Sequence, residues 1–236
     1  MTSTPGYLIT GAGGGVGGVS RLVVEQLLSH GAAVRAMVHR NDSRADALRG
    51  LGAEVIVGDL TNPVDVAAAM DGISRMFFNM SVSTEYLEAT AVVCAAAEDG
   101  DGLEVLVNMS QMTVSQMTAT STEESHQQRL HWLAEHVIGW SGVPAVQIRP
   151  TVFLDNPFFT VMAARSIRES GQLELPFGTG RTSPVATDDV AARQAQSKVH
   201  PPRAELQALL AAVRSLRSDG LNLGQMGICL ICRRHD

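Results

Sequence analysis

The sequence predicts an α/β fold built on a doubly wound parallel sheet, and three observations support this prediction. From residue 6 to residue 150, apolar strand-like runs alternate with amphipathic helical patterns, which is the order of β-α-β units. A glycine-rich segment lies between the first apolar run and the first helical pattern, where a β-α turn is expected. With 45% hydrophobic and 18% charged residues, the 236-residue chain can bury the core that such a fold requires.

Apolar periodicity and helix-end signals place the elements in order. The first helix has apolar residues at i, i+3 and i+4 spacing from Val19 and stops at Gly31, and Asn62 before Pro63 is a typical start of a later helix. The predicted strands are 7–10, 33–38, 54–57, 75–79, 103–108 and 145–149. The predicted helices lie at 19–31, about 45–48, from 63 onward, about 85–98 and about 124–141.

The last of these helices carries two signals of its own. Ser121 followed by Glu124 is a capping-box pattern, which predicts that the helix spanning roughly 124–141 starts there. Its apolar residues share one face, which is predicted to be core. They are Leu130, Leu133, Ala134, Val137 and Ile138.

Beyond Pro150 the alternation weakens. We therefore predict one α/β domain at 1–150 and a small lobe with a divergent tail at 151–236. The lobe is expected to contain a helix at about 157–170, an extended stretch at 173–175, a Pro/Gly-rich loop at 176–184, a helix capped by Asp188 and a last helix at 204–216, before a polar tail.

Composition argues against several classes of partner. The net charge of −6 gives no electrostatic reason to bind nucleic acid or an acidic membrane. Because no apolar run reaches the roughly 18 residues that cross a bilayer, and no signal-peptide pattern precedes the first strand, we expect a cytoplasmic protein. Cys229 and Cys232 form a single C-x-x-C without a second such pair, which is weak evidence for zinc, so no metal site is predicted.

The glycine-rich segment has the residues that a dinucleotide-binding turn requires. Two overlapping spacings fit, G-x-x-G-x-x-G from Gly11 and G-x-G-x-x-G from Gly13. Glycines allow a tight turn, close approach of backbone N–H groups to a pyrophosphate, and close packing of the following helix. A flexible linker is the alternative, but a strand and an amphipathic helix bracket this segment. The predicted cofactor-binding residues here are Thr10, Gly11, Gly13, Gly14, Gly15, Val16 and Gly17.

The end of the second predicted strand indicates which dinucleotide is bound. NAD-preferring folds place an acidic residue there, about 20 residues beyond the glycines, to bind the adenosine ribose. Here His39 and Arg40 directly follow the last strand residue, Val38. A guanidinium suits bidentate contact with a 2′-phosphate, with Arg44 as a possible second contact. A solvated Arg40 is the alternative. Asp59 and Leu60 are expected at the adenine edge, unless Asp59 caps its own turn.

Five phrases of the sequence occur in the order found in one group of proteins. They are LITGAGGGVG at 8–17, VRAMVHR at 34–40, GDL at 58–60, RPTVFLDN at 149–156 and GRTSPVATDDVA at 180–191. Together they resemble the NmrA-like group of atypical short-chain dehydrogenase/reductases, over residues 6 to about 193. The resemblance implies a Rossmann fold with NADP(H), or alternatively NAD(H), at the glycine turn and Arg40. It also implies a nicotinamide end beside Asn79, Met80 and Ser81 and beside Ser110.

The acid–base chemistry usual among short-chain dehydrogenases needs a tyrosine and a lysine four residues later. That pair is missing, since Tyr7 and Tyr86 are the only tyrosines and Lys198 is the only lysine. Many relatives in the group keep a lysine on the helix at 124–141, where this chain has His131. His131, with an ordinary pKa near 6.5, is therefore a candidate proton donor, and Ser110 is the second catalytic candidate. A surface histidine is the alternative.

Two hypotheses of function follow. The first is an NADP(H)-dependent reductase that passes hydride to a small organic acceptor such as a quinone or azo compound, because such transfer needs mainly positioning over the nicotinamide. The second is a non-catalytic NAD(P) sensor that binds a protein partner, as some members of the group are. From about residue 194 the sequence departs from the group's pattern. We therefore expect a shortened substrate lobe, which would leave one wall of the site open to water.

Overall fold

The computed structural model describes residues 6–14, 18–100, 102–122, 124–175, 183–198 and 228–233. The strands are β1 (Tyr7–Thr10), β2 (Val34–Val38), β3 (Glu54–Val57), β4 (Arg75–Phe78), β5 (Val105–Met109), β6 (Ala145–Pro150) and β7 (Ile228–Arg233). The helices are α1 (Val19–Ser29), α2 (Ser43–Gly50), α3 (Pro63–Met70), α4 (Tyr86–Asp99), α5 (His126–Trp140), α6 (Ala164–Ser170) and α7 (Thr187–Lys198). A 3-10 helix spans Met112–Gln116, and a π-helical segment, Phe158–Ala163, leads into α6.

The strands form one sheet in the order β3-β2-β1-β4-β5-β6-β7. The first six are parallel, and the chain passes from β3 at one edge to β4 on the far side of β1. This is the doubly wound Rossmann order, so the predicted fold is confirmed. In such sheets a ligand binds beyond the carboxyl ends of the strands, where β1 and β4 lie side by side and the winding reverses.

Both faces of the sheet are covered, and each has its own apolar cluster. Residues of α1, α2 and α7 pack on one face around Ile9 and Phe77. Residues of α3, α4 and α5 pack on the other around Leu8 and Phe78. Because α7 belongs to the first cluster, part of the lobe beyond residue 150 shares its core with the first 150 residues; the domain boundary at 150 stays a prediction. Among the described helices, none has the length and apolarity to cross a bilayer.

Local capping rules explain some helix starts and correct two predictions. Asn62 caps α3 as expected, because its side chain accepts a hydrogen bond from the Val64 amide. The predicted start of α5 at Ser121 and Glu124 was wrong: Ser125 is the cap and accepts from the Gln128 amide, whereas the Ser121 hydroxyl accepts from the Thr118 amide in the preceding turn. The sequence from Ser125 to Gln128 is itself a capping-box pattern, so two matches competed. Asp188 lies inside the first turn of α7 and does not precede it.

The strand β7 was not predicted. We expected a polar tail after 216, whereas residues 228–233 pair antiparallel with β6, with Cys229 opposite Arg149 and Cys232 opposite Val146. The apolar run ICLIC was short enough to be read as part of the tail, and its pairing with a strand far away in sequence gives no local signal. The predicted helix at 204–216 and residues 176–182 of the predicted loop lie outside the described residues.

Candidate functional site

The glycine turn joins β1 to α1 at the carboxyl edge of the sheet, and sterics exclude a side chain at Gly11 and disfavour one at Gly14. Gly11 has φ +75, and a Cβ there would lie 2.5 Å from the Asn79 carbonyl oxygen. The Gly14 amide donates to the Gly11 carbonyl at 3.1 Å, and a Cβ on Gly14 would crowd that same oxygen. A Cβ on Gly13 would make only ordinary contact with Val38. These contacts favour the spacing that begins at Gly11, although Gly15, Val16 and Gly17 lie outside the described residues.

Thr10 and Asn79 hold the turn in place. The buried Thr10 hydroxyl donates to the Asn79 carbonyl at 2.9 Å and accepts from the Asn79 amide at the same distance. The Asn79 side chain in turn donates to the Ser20 hydroxyl at 2.8 Å. These bonds join the ends of β1 and β4 to the first turn of α1. The contribution of both side chains is therefore to position the backbone that would meet the cofactor.

The start of α1 has the features of an anion site. Gly18, the N-cap, has φ +46 and has no side chain to accept hydrogen bonds from the first-turn amides. The first turn of α1 contains no acidic residue, whereas α2, α3 and α4 carry Asp46, Asp65 and Glu88 there. The positive end of the helix and its first-turn amides, which have no partner among the described residues, are thus suited to bind a phosphate. A pyrophosphate fits this part of the structure.

The arginines after β2 differ in their surroundings. Arg40 is exposed and makes no hydrogen bond or ion pair with any residue that the structure describes, and His39 beside it is also exposed. Arg44, in contrast, donates from Nε and from a terminal guanidinium nitrogen to one carboxylate oxygen of Asp42, at 3.0 and 2.5 Å. The guanidinium of Arg44 is therefore already occupied, which argues against it as a second contact for a 2′-phosphate.

Asp59 caps its own turn, which was the alternative interpretation of this residue. One carboxylate oxygen accepts from the amide and the hydroxyl of Thr61, at 2.9 and 2.8 Å. These hydrogen bonds hold the pKa of Asp59 below its usual value. Leu60 is half-buried against the cluster under α3 and α4, as is Met80, while Ser81 is exposed. Contact of any of these residues with a cofactor stays a prediction.

A buried polar cluster, consisting of Tyr86, Ser110, His131, Glu135 and Arg149, lies beside the carboxyl ends of β5 and β6. Glu135 on α5 is its centre. One carboxylate oxygen accepts from the Ser110 hydroxyl at 2.5 Å and from Arg149 Nε at 2.8 Å, and the other is paired with the Arg149 guanidinium. The side chains of Arg149 and Glu135 are only 12% and 8% exposed. The ion pair thus fixes α5 to the two strands and holds Ser110 in place.

His131 belongs to this cluster and is not a surface residue, so the alternative interpretation of it was wrong. It is 8% exposed, and its Nδ1 lies 3.1 Å from the Tyr86 hydroxyl oxygen. Burial lowers its pKa to about 4, against the opposing influence of Glu135, and burial raises the pKa of Tyr86. His131 is therefore neutral near neutral pH. This lowered pKa argues against a titrating proton donor, because that role is best served by a pKa near the ambient pH; a catalytic role of His131 stays a prediction.

The low pKa of His131 predicts acid sensitivity. The unfolded chain takes up a proton near pH 6.5 and the folded chain only near pH 4, so the contribution of His131 to stability should fall as pH drops through this window and change no further below it. For a fully expressed shift the loss is on the order of 3 kcal/mol. Urea unfolding between these pH values measures it. The variant His131→Gln should lose this part of the slope, and an unchanged slope would contradict the prediction.

An apolar surface follows the carboxyl end of β6. Its exposed side chains are Leu154, Phe158, Val161, Met162 and Ile167. They lie after the strand end that faces the glycine-turn edge, since β6 is parallel to β1 and β4. The carboxyl edge thus carries the start of α1 and, after β6, an exposed apolar surface. No sequence signal distinguished these residues from an ordinary amphipathic helix.

Comparison with known proteins is consistent with this geometry. Residues 14–198 match the model of a family described as NAD(P)H-binding. An NAD(P)H azoreductase of Xenophilus azovorans is 26% identical over 190 residues, which are 80% of this chain and 62% of the relative. Another relative, from Streptomyces griseus, is a (4-alkanoyl-5-oxo-2,5-dihydrofuran-3-yl)methyl phosphate reductase, 30% identical over 78% of this chain and 60% of its own length. The chain thus spans about 60% of the curated relatives it matches.

A solved structure shows the same fold. The triphenylmethane reductase of Citrobacter sp., crystallised with NADP(H), superposes with a TM-score of 0.67 at 22% identity. The match covers 83% of this chain and 66% of that protein's chain. At this identity the likeness supports the Rossmann architecture alone.

Proposed function

Since this chain belongs to the NAD(P)H-binding family, we propose that it is an NADP(H)-dependent reductase that transfers hydride to a small organic acceptor such as a quinone or azo compound. The observation that carries the proposal is that Arg40, which has no partner among the residues that the structure describes, lies on the same edge as the start of α1, where no side chain caps the helix. A backbone anion site for the pyrophosphate and a free guanidinium for the 2′-phosphate are what NADP(H) needs. Its nicotinamide supplies hydride chemistry when bound.

The acceptor class follows from what the remaining residues can do. With His131 neutral and no Tyr/Lys pair in the sequence, the described part of the site has no group suited to protonate the carbonyl oxygen of a ketone substrate. Azo compounds and quinones accept hydride mainly by being held over the nicotinamide. The exposed Leu154, Phe158 and Val161 offer apolar contact for such a flat molecule. The azoreductase relative supports this class.

Steady-state oxidation of NADPH by the full chain, with a panel of quinones and azo dyes, tests the proposal. We expect turnover above the background rate with at least one of them. NADPH affinity measured by the fluorescence of Trp132 and Trp140 completes the test. Affinity without turnover for any acceptor would favour the second candidate, a non-catalytic NAD(P) sensor with a protein partner, which the neutral His131 also permits.

The role of Arg40 gives a separate prediction. Arg40→Ala should weaken NADPH binding by about 1.5–3 kcal/mol, the range for a hydrogen bond to a charged group, while NADH binding stays nearly unchanged. Arg44→Ala is the matched control, because its guanidinium is held by Asp42 and should add little to either affinity. Titration with both dinucleotides measures the difference. Equal losses for NADPH and NADH in Arg40→Ala would refute the 2′-phosphate role.

A further inference from the structure

The bond between Tyr86 and His131 settles which nitrogen of the imidazole carries the proton. The Tyr86 side chain is 1% exposed, and the only hydrogen-bond partner of its hydroxyl among the described residues is His131 Nδ1. A buried phenol O–H nearly always donates a hydrogen bond, because an unpaired buried donor is costly. Tyr86 therefore donates to Nδ1. In a neutral imidazole the other nitrogen, Nε2, must then carry the proton.

The Nε2 atom has no hydrogen-bond partner within the described part of the chain. Nor is Nε2 one of the described polar side-chain atoms that are buried from solvent and lack a hydrogen-bond partner. The small exposed fraction of His131 thus includes Nε2. A structural histidine would be expected to satisfy both nitrogens. The imidazole is fixed through Nδ1, and its Nε2–H is accessible to solvent. Such an N–H group is suited to donate a hydrogen bond to a ligand.

The position of His131 on α5 points towards the carboxyl edge. Glu135 contacts Ser110, the residue that directly follows β5. From there α5 runs toward the amino end of β6. Its earlier turns therefore lie nearer the carboxyl edge of the sheet than its later ones. His131 lies four residues before Glu135 on α5 and is therefore about 6 Å farther along the helix toward that edge. The charged groups around it are Glu135 on its own helix and, behind Glu135, Arg149 on β6; Tyr86 faces it from α4.

We propose that Tyr86 is a positioning residue that holds neutral His131 with its Nε2–H toward the acceptor, where it donates a hydrogen bond to the atom that becomes negative. The inference rests on the proposed reductase function. An acceptor that gains a hydride gains two electrons, and the displaced electron pair moves to a quinone oxygen or to the second azo nitrogen. The balancing proton comes from solvent water, since His131 keeps its own. One acceptor molecule and one proton are thus consumed for each hydride transferred.

Nitrogen-15 NMR of the histidine rings in the full chain, without cofactor, tests the tautomer. The His131 signals are identified by their absence in His131→Gln. We expect a protonated Nε2 and an unprotonated Nδ1 in the wild type and in Tyr7→Phe, which removes the only other phenol of the chain. Tyr86→Phe, which keeps the ring packing, should give a mixture of both tautomers. A protonated Nδ1 in the wild type, or no change in Tyr86→Phe, would overturn the inference.

Kinetics with an active acceptor test the donor role. Removing His131 Nε2–H in His131→Leu should lower kcat about 100-fold, as for other donors to a developing negative charge. Tyr86→Phe should lower kcat about tenfold with little change in KM, and the loss should be constant above pH 6.5 because no group titrates in the step. An unchanged kcat in Tyr86→Phe would refute the role of Tyr86. If the wild type binds NADPH but reduces nothing, the proposed function and the donor role fail together, while the NMR result still decides the tautomer.

Discussion

Replacing Gly11 by alanine is expected to destabilise the folded chain by about 3–5 kcal/mol and to abolish NADPH binding. Two costs add. A non-glycine residue at φ +75 pays about 1–2 kcal/mol for the left-handed conformation, and a Cβ 2.5 Å from the Asn79 carbonyl oxygen cannot be accommodated unless the backbone shifts. Such a shift would also break the Thr10–Asn79 bonds that hold the turn. Urea unfolding gives the first quantity, and tryptophan fluorescence with added NADPH gives the second.

Gly142→Ala separates these two costs. Gly142 has φ +74, nearly the same as Gly11, but a Cβ there meets nothing within 4 Å. It should therefore lose only the conformational part, about 1–2 kcal/mol, and bind NADPH normally. If Gly11→Ala and Gly142→Ala lose the same amount, the close approach of Asn79 to the turn has no energetic weight, and the proposed geometry of the glycine turn is wrong.

Replacing Glu135 by alanine is expected to cost a similar amount for a different reason. The buried Arg149 guanidinium would lose its carboxylate, and the Ser110 hydroxyl would lose its acceptor. Removing one partner of a buried ion pair typically costs 3–5 kcal/mol, because the remaining charge stays desolvated. This is a large part of the 5–15 kcal/mol that stabilises a typical domain. Chemical denaturation at neutral pH measures the loss.

The exposed pair Arg165–Glu169 provides the matched control. Its side chains are 71% and 63% exposed, so water screens the charges, and Glu169→Ala should cost no more than about 1 kcal/mol. Glu135→Gln, which keeps an acceptor for Ser110, should fall between the two variants. Similar losses for Glu135→Ala and Glu169→Ala would mean that the pair with Arg149 does not hold α5 on the sheet.

The sequence predicted the elements of the sheet well because each has a local signal. The strands from 7–10 to 145–149 are apolar runs bounded by turn residues, and the cap at Asn62 follows from side-chain chemistry within three residues. The strand β7 has no such signal, since its partner β6 lies far away in the chain. The start of α5 was ambiguous for a related reason. Two capping-box patterns lie close together in the sequence. The hydroxyl of the first, on Ser121, accepts a hydrogen bond from the Thr118 amide and so is not the cap of α5.

What the sequence by itself determined is the order of strands and helices, the glycine turn and the presence of Arg40 at the end of β2, because these depend on neighbours within a few residues. Only the tertiary structure decided which of these groups is free and which is occupied: Arg40 is unpaired among the described residues, while Arg44 is held by Asp42. The same applies to His131. Its charge depends on burial, and its tautomer on Tyr86, which chain packing brings from another helix.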